Sequence, residues 1–251
     1  MNQGATCILT TVELAARLGI APAKQVFLHG YAAAADRLVS ERQDLSRSVA
    51  IEAALAHALK AADRAVHEID LFDLCSCFTY AVLLAAEALG PDLRRVPATV
   101  TGGLPFFGGA GNNYSMHAIA TMAERLRSAP DRFGLVLANG GFLSKQAVGI
   151  YSAMPKPDWE PVSSAPIQQA IDAVGAPPLD HQSDTAVVET FTVTYRKGEP
   201  VQACTVGRAP NGRVLARTRP GDRAAVARFE AGEPIGQPVA IEREGNANFL
   251  I

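Results

Sequence analysis

Through the first 150 residues, apolar positions alternate between strand spacing and helical spacing. Residues 4–10 form a short apolar run suited to a strand, and Thr11 caps a helix that reaches about Leu18 and stops at Gly19. Residues 24–31 read as a second strand. Val49, Leu55, Leu59, Ala62 and Val66 fall at helical spacing, which predicts an amphipathic helix over 48–66. A strand over 69–74 leads to a helix over 78–89 that ends at Gly90-Pro91, and a third long helix covers 115–127. Apolar runs at 133–137 and 147–151 have strand length and are separated by Asn139-Gly140-Gly141. Strands alternating with helices predict an α/β fold, a mixed sheet flanked by helices.

The pattern changes at Met154. Prolines at 155, 157, 161, 177 and 178 bracket a short helix over 167–174, and this density suits a linker over 154–183. From 184 the chain turns to short strands: 187–195, 201–206, 214–218, 239–241 and 249–251. Pro210-Asn211-Gly212-Arg213 between two of them is a hairpin signal, because Asn-Gly tolerates the positive φ of a tight turn. A small antiparallel β-barrel or sandwich is the expected closure of 184–251, beside an α/β domain over 1–153.

Composition narrows the function classes. With 251 residues, 48% of them apolar, the chain buries a substantial core, as one large domain or two unequal ones. Net charge is −2 and the isoelectric point is near 6.2, which gives no global case for nucleic acid or an anionic membrane. No apolar run approaches the roughly 20 residues that span a bilayer, and the start carries no secretory pattern, so a cytoplasmic location is the default. Of the cysteines, Cys7, Cys75, Cys77 and Cys204, only the middle pair is close. Cys-x-Cys without a second pair or nearby histidines is poor zinc spacing, so reduced thiols and no metal are expected.

Two motif runs point further. Asp70-Leu71-Phe72-Asp73-Leu74-Cys75-Ser76-Cys77-Phe78 leads from strand into helix, and a glycine-dense loop runs from Thr101-Gly102-Gly103 to Met116-His117. Together they resemble the carboxy-terminal half of a thiolase. The resemblance covers residues 1–153, with Met1-Asn2-Gln3-Gly4-Ala5 similar to the strand that closes the first half. It implies a thiolase-type C-terminal half. The family's nucleophilic cysteine lies in the other half, which leaves a fragment, a split gene product and a reduced protein as open alternatives.

Position by position, the resemblance implies an altered chemistry. Cys75 falls where thiolases carry the Asn or His that orients an oxyanion-stabilising water. Gly109, within Gly108-Gly109-Ala110, replaces the activating histidine, and Ala138, within Ala138-Asn139-Gly140, replaces the acid/base cysteine. Glycine and alanine exchange no proton and polarise no carbonyl. The divergent motifs and the β tail resemble the subgroup called thiolase-like protein type 1, which adds a carboxy-terminal β domain and lacks the catalytic set.

The substrate-lining candidates are therefore Cys75, Ser76, Gly102, Gly103, Gly108, Gly109, Ala138, Asn139 and Gly140. Cys75 and His117 are the only catalytic candidates. Cys75 and Cys77 precede a helix whose dipole favours a thiolate, against which stands simple packing of small buried residues. His117, with Tyr114 three residues before it, reads as a displaced base or as a histidine satisfied by the loop. Phe106 and Phe107 suit an acyl cover or core packing, and Ser76 suits a helix cap. Arg208, Arg213, Arg217, Arg219, Arg223 and Arg228 form a basic stretch diluted by Asp222, Glu230, Glu233, Glu242 and Glu244, which favours a solvated face over nucleic acid.

Three functions follow from the resemblance. One is a protein that binds a CoA thioester or a related acyl carrier, with no cofactor required. A second is a structural subunit that completes a separately encoded first half. The third is an acyltransferase or carbon–carbon lyase working with such a partner.

Overall fold

The computed structural model describes residues 2–90, 95–109 and 111–251. Met1, Pro91 and Ala110 lie outside the described residues. By its internal contacts the chain divides into two units, one of residues 1–36 and 47–173, the other of 37–46 and 174–251. The segment expected to be a linker is shared between them: its helix belongs to the first unit, and the second begins at 174. A short piece between the first strand and the first long helix belongs to the second unit.

The first unit is a four-stranded sheet in the order β1-β4-β3-β2 (β1 Phe27–Ala35, β2 Leu71–Leu74, β3 Phe133–Gly140, β4 Lys145–Ser152). β2 and β3 run parallel and the other two pairs antiparallel, so the sheet is mixed. Side chains alternate between its faces. Phe133, Leu135, Leu137, Val148 and Ile150 face α2 (Val49–Ala62), in a core with Ile51, Leu55 and Leu59. Val136 faces the other way, onto Ala118, Met122 and Leu126 of α5 (Tyr114–Ser128). Among the described residues, no helix is long and apolar enough to cross a membrane.

Local chemistry sets the helix ends. Thr11 caps α1 (Val12–Arg17) by accepting from the Leu14 amide, and Ser48 caps α2 by accepting from Ile51. α2 closes at Asp63 in the left-handed region and α3 (Thr79–Leu89) at Gly90 with φ 79°. Residues 4–10, expected as a strand, are irregular. Ile8 and Leu9 are 87% and 93% exposed, and no neighbouring strand in the described residues takes up their amides. The glycine loop holds a short helix, α4 (Leu104–Phe107), that no apolar periodicity announces. α6 (Ala165–Ala173) closes the outer edge of β1, where the Gln168 side chain accepts from the Ala35 amide at 2.7 Å and donates to the Ala35 carbonyl.

The second unit is a closed barrel in the order β5-β6-β7-β9-β8 (β5 Thr185–Arg196, β6 Glu199–Ala209, β7 Gly212–Thr218, β8 Pro238–Glu244, β9 Ala247–Leu250). β7 and β9 pair in parallel, so the expected all-antiparallel arrangement is corrected at that one contact. A helix missed by the strand-rich reading, α7 (Arg223–Ala231), connects β7 to β8 and packs Phe229 into the barrel core. Asn211-Gly212 makes the expected hairpin turn between β6 and β7.

Candidate functional site

The parallel pair β2–β3 ends in two turns that lie side by side. The Cys75 amide donates to the Leu137 carbonyl at 3.0 Å, carrying the pairing one residue past β2. Beyond it, Cys77 Sγ lies 3.8 Å from Asn139 Oδ1, joining the two strand ends. Asn139 Nδ2 donates to Gln146 Oε1 at 3.1 Å, which fixes that amide from the neighbouring strand. Ser76 Oγ accepts from the Leu104 amide at 2.8 Å. Its capping role therefore goes to α4, 28 residues away, and α3 has no side-chain cap.

Glycine allows the loop to approach. Gly102 and Gly103 have φ of 98° and 86°, where side chains are strained, and a Cβ on Gly103 would sit 3.2 Å from Ser76 Oγ. Gly108 also has positive φ, while a Cβ at Gly109 would press on Leu104. Ala138 and Gly140 lie on β3 on either side of Asn139.

Cys75 is 5% exposed, and burial pushes its thiol up to about 11. The helix that follows it does not offset that burial. Cys77 is exposed. His117 belongs to a different group: Nε2 lies 3.3 Å from Asn113 Nδ2, and its ring meets Phe107 at 5.2 Å. Among the described residues, no hydrogen bond or ring contact joins His117 to either cysteine. Phe106 is 90% exposed, so of the two phenylalanines only Phe107 packs inward, on Tyr114 and His117.

One buried group escaped the sequence reading. Asp73, fully buried on β2, accepts from the amides of Val100 and Thr101 and from the Thr101 hydroxyl. Burial raises its carboxyl above the ordinary range, and the hydrogen bonds from Thr101 oppose that rise. Its signal was a carboxylate inside a strand that is otherwise apolar on both faces.

Among the described residues of the barrel, three of the six arginines of the basic stretch pair with carboxylates of the same unit. Arg219 pairs with Glu242 and Glu244, Arg208 pairs with Glu189, and Arg213 is buried against Glu189 at 2.7 Å. Among the described residues, no three His, Cys, Asp or Glu side chains gather as a metal site.

Comparison with known proteins adds to this geometry. Residues 166–246 match the family described as the thiolase-like protein type 1 additional C-terminal domain. No curated protein matches the sequence. Among solved structures, the chain is similar to a monomeric SCP2-thiolase like protein type 1 from Mycobacterium smegmatis, with 38% identity and a TM-score of 0.86. That match covers 96% of this chain and 53% of the other, so the chain spans about half the length of that relative. It is also similar to the peroxisomal 3-ketoacyl-CoA thiolase of Saccharomyces cerevisiae, at 21% identity and a TM-score of 0.42 over 51% of this chain and 34% of that one. Human mitochondrial 3-ketoacyl-CoA thiolase gives 17% identity and a TM-score of 0.43, over 58% and 34% of the two chains.

Proposed function

We infer that this chain, a thiolase-like protein carrying the type 1 additional C-terminal domain, binds an acyl thioester at the ends of β2 and β3 and does not perform thiolysis by itself. The ligand class is an acyl-CoA or an acyl carrier. The carrying observation is the convergence of Ser76, Gly103 and Leu104 with Cys77 and Asn139 at the two strand ends. Glycines without side chains leave room for a ligand carbonyl beside backbone amides, and Asn139 adds a fixed polar group.

The chemistry supports binding over turnover. With its thiol pushed up to about 11 by burial, Cys75 stays protonated at neutral pH. Gly109 and Ala138 supply no proton. The four free cysteines suit a reducing cytoplasm. Calorimetric titration with CoA and acetyl-CoA tests the reading. A saturable heat is expected, and the absence of both heat and thermal shift at millimolar ligand overturns it. Cleavage of acetoacetyl-CoA should not exceed a heat-killed control, even with Gly109→His and Ala138→Cys combined, because neither change supplies an attacking cysteine.

A second reading, completion by a separate first half, is favoured by the exposure of Ile8 and Leu9 beside Val12, Leu14 and Leu18. An apolar run of this kind suits burial against further polypeptide. Sedimentation tests it: the chain alone should self-associate, and Ile8→Asp with Leu9→Asp should abolish that. A wild-type chain that stays monomeric at high concentration counts against it.

A further inference from the structure

The glycine loop is tied to the rest of its unit by one buried carboxylate. Asp73 shares the α5-facing side of β2 with Leu71, and nothing of its side chain reaches solvent. Its Oδ2 accepts three bonds, from the Val100 amide at 3.1 Å, the Thr101 amide at 3.0 Å and the Thr101 hydroxyl at 2.8 Å. Thr101 Oγ1 lies 2.6 Å from the Tyr114 hydroxyl, at the start of α5. The Thr101 proton is given to Asp73, so Tyr114 must be the donor in that last bond. The Gly103 amide also points at Thr101 Oγ1, at 3.4 Å.

We propose that Asp73 is the positioning residue of this site: through Thr101 it holds the Gly102–Gly103 loop between β2 and α5, at the distance where Leu104 reaches Ser76. The proposal rests on the binding reading above for its ligand, but not for its geometry. A carboxylate at 0% exposure is costly, and a fold keeps one where it organises neighbouring donors. Its other oxygen, Oδ1, is buried without a hydrogen-bond partner, so everything Asp73 contributes to the attachment passes through the three bonds to Oδ2. Tyr114 holds its proton firmly, since burial pushes the phenol up to about 12, and this suits its role as donor. Phe107 packs on the same tyrosine ring, extending the anchor to α4.

The test measures amide hydrogen exchange of residues 101–104 together with acetyl-CoA affinity, on the full chain. Thr101→Val removes the hydroxyl that joins Asp73 to Tyr114, and should speed exchange and weaken binding by about tenfold each. Thr101→Ser keeps the hydroxyl and should restore both. Asp73→Leu, which removes the acceptor of all three bonds, should loosen the loop further. If Asp73→Leu fails to fold, Thr101→Val and Tyr114→Phe still decide the question, because each removes a single hydroxyl. Folded Thr101→Val protein with wild-type exchange in the loop overturns the proposal. If wild-type protein shows no heat with acetyl-CoA, the binding reading fails alone, and the exchange comparison still judges the positioning role.

Discussion

Cys75 and Cys77 stand two positions apart, and burial separates their chemistry. Cys75 packs beneath the turn with its thiol pushed up to about 11, whereas Cys77 is open to solvent beside Asn139. Thiolate is the reacting form, so alkylation by iodoacetamide at pH 8 should modify Cys77 and leave Cys75 at least about tenfold slower. Mass spectrometry of the labelled peptides reads this directly, and equal labelling of the two contradicts the assigned environments. The residue types at this turn were legible in the sequence, but their partners were not. Ser76 bonds Leu104 across 28 residues, and Asp73 bonds Thr101 across the same separation. Neither spacing has a local signature. The burial of Asp73 was readable in principle, as a charge interrupting Leu71, Phe72 and Leu74, because a strand with two covered faces, even at the edge of its sheet, tolerates a carboxylate only when it has partners.

At the scale of elements, helix α2 shows what periodicity conveys. Ser48 and the Ala/Leu pattern mark its start and buried face, and the left-handed turn at Asp63 ends it short of the expected Val66. The sheet comes very close to this helix at Gly30 of β1. A Cβ there would lie against the Ala58 carbonyl and 2.6 Å from the Ala62 amide, both of them backbone. Backbone cannot rotate away, so Gly30→Ala should cost about 2 to 3 kcal/mol, read as a lower midpoint in urea unfolding. A variant within about 0.5 kcal/mol of wild type contradicts this packing. Elements held by distant contacts were the ones misread. Residues 4–10 have strand composition but no partner strand in the described residues. α4 is one turn long and rests on Ser76 and on Pro105 near its start, and α7 has only three buried side chains. A strand needs a neighbour and a short helix needs a surface, and neither is written within its own segment.

The molecule as a whole is built from two units whose boundary does not follow the chain simply. Residues 37–46 leave the α/β unit in sequence and are held in the barrel unit by Arg213, which donates to the carbonyls of Ser40, Arg42 and Gln43 while pairing with Glu189. The composition change at 154 and the hairpin at Asn211-Gly212 made the barrel legible. The captured segment was not, because a basic stretch does not reveal which of its arginines is buried. Replacing Arg213 by Met should remove the donor that the carbonyls of Ser40, Arg42 and Gln43 share and leave Glu189 paired with Arg208 alone, costing about 3 kcal/mol. Calorimetric unfolding checks this, and an unchanged transition would mean that the segment is held by other contacts.

The paired ends of β2 and β3 make up a still smaller region, and Cys77 reports on it from within. Cys7 is also exposed and supplies an internal control outside that turn. The most direct measurement is the alkylation rate of both thiols with and without saturating acetyl-CoA. A thioester seated between Ser76, Gly103 and Asn139 should slow Cys77 several-fold and leave Cys7 unchanged. Equal rates at Cys77 with and without ligand, under conditions where the ligand is bound, would place the thioester elsewhere and contradict the site.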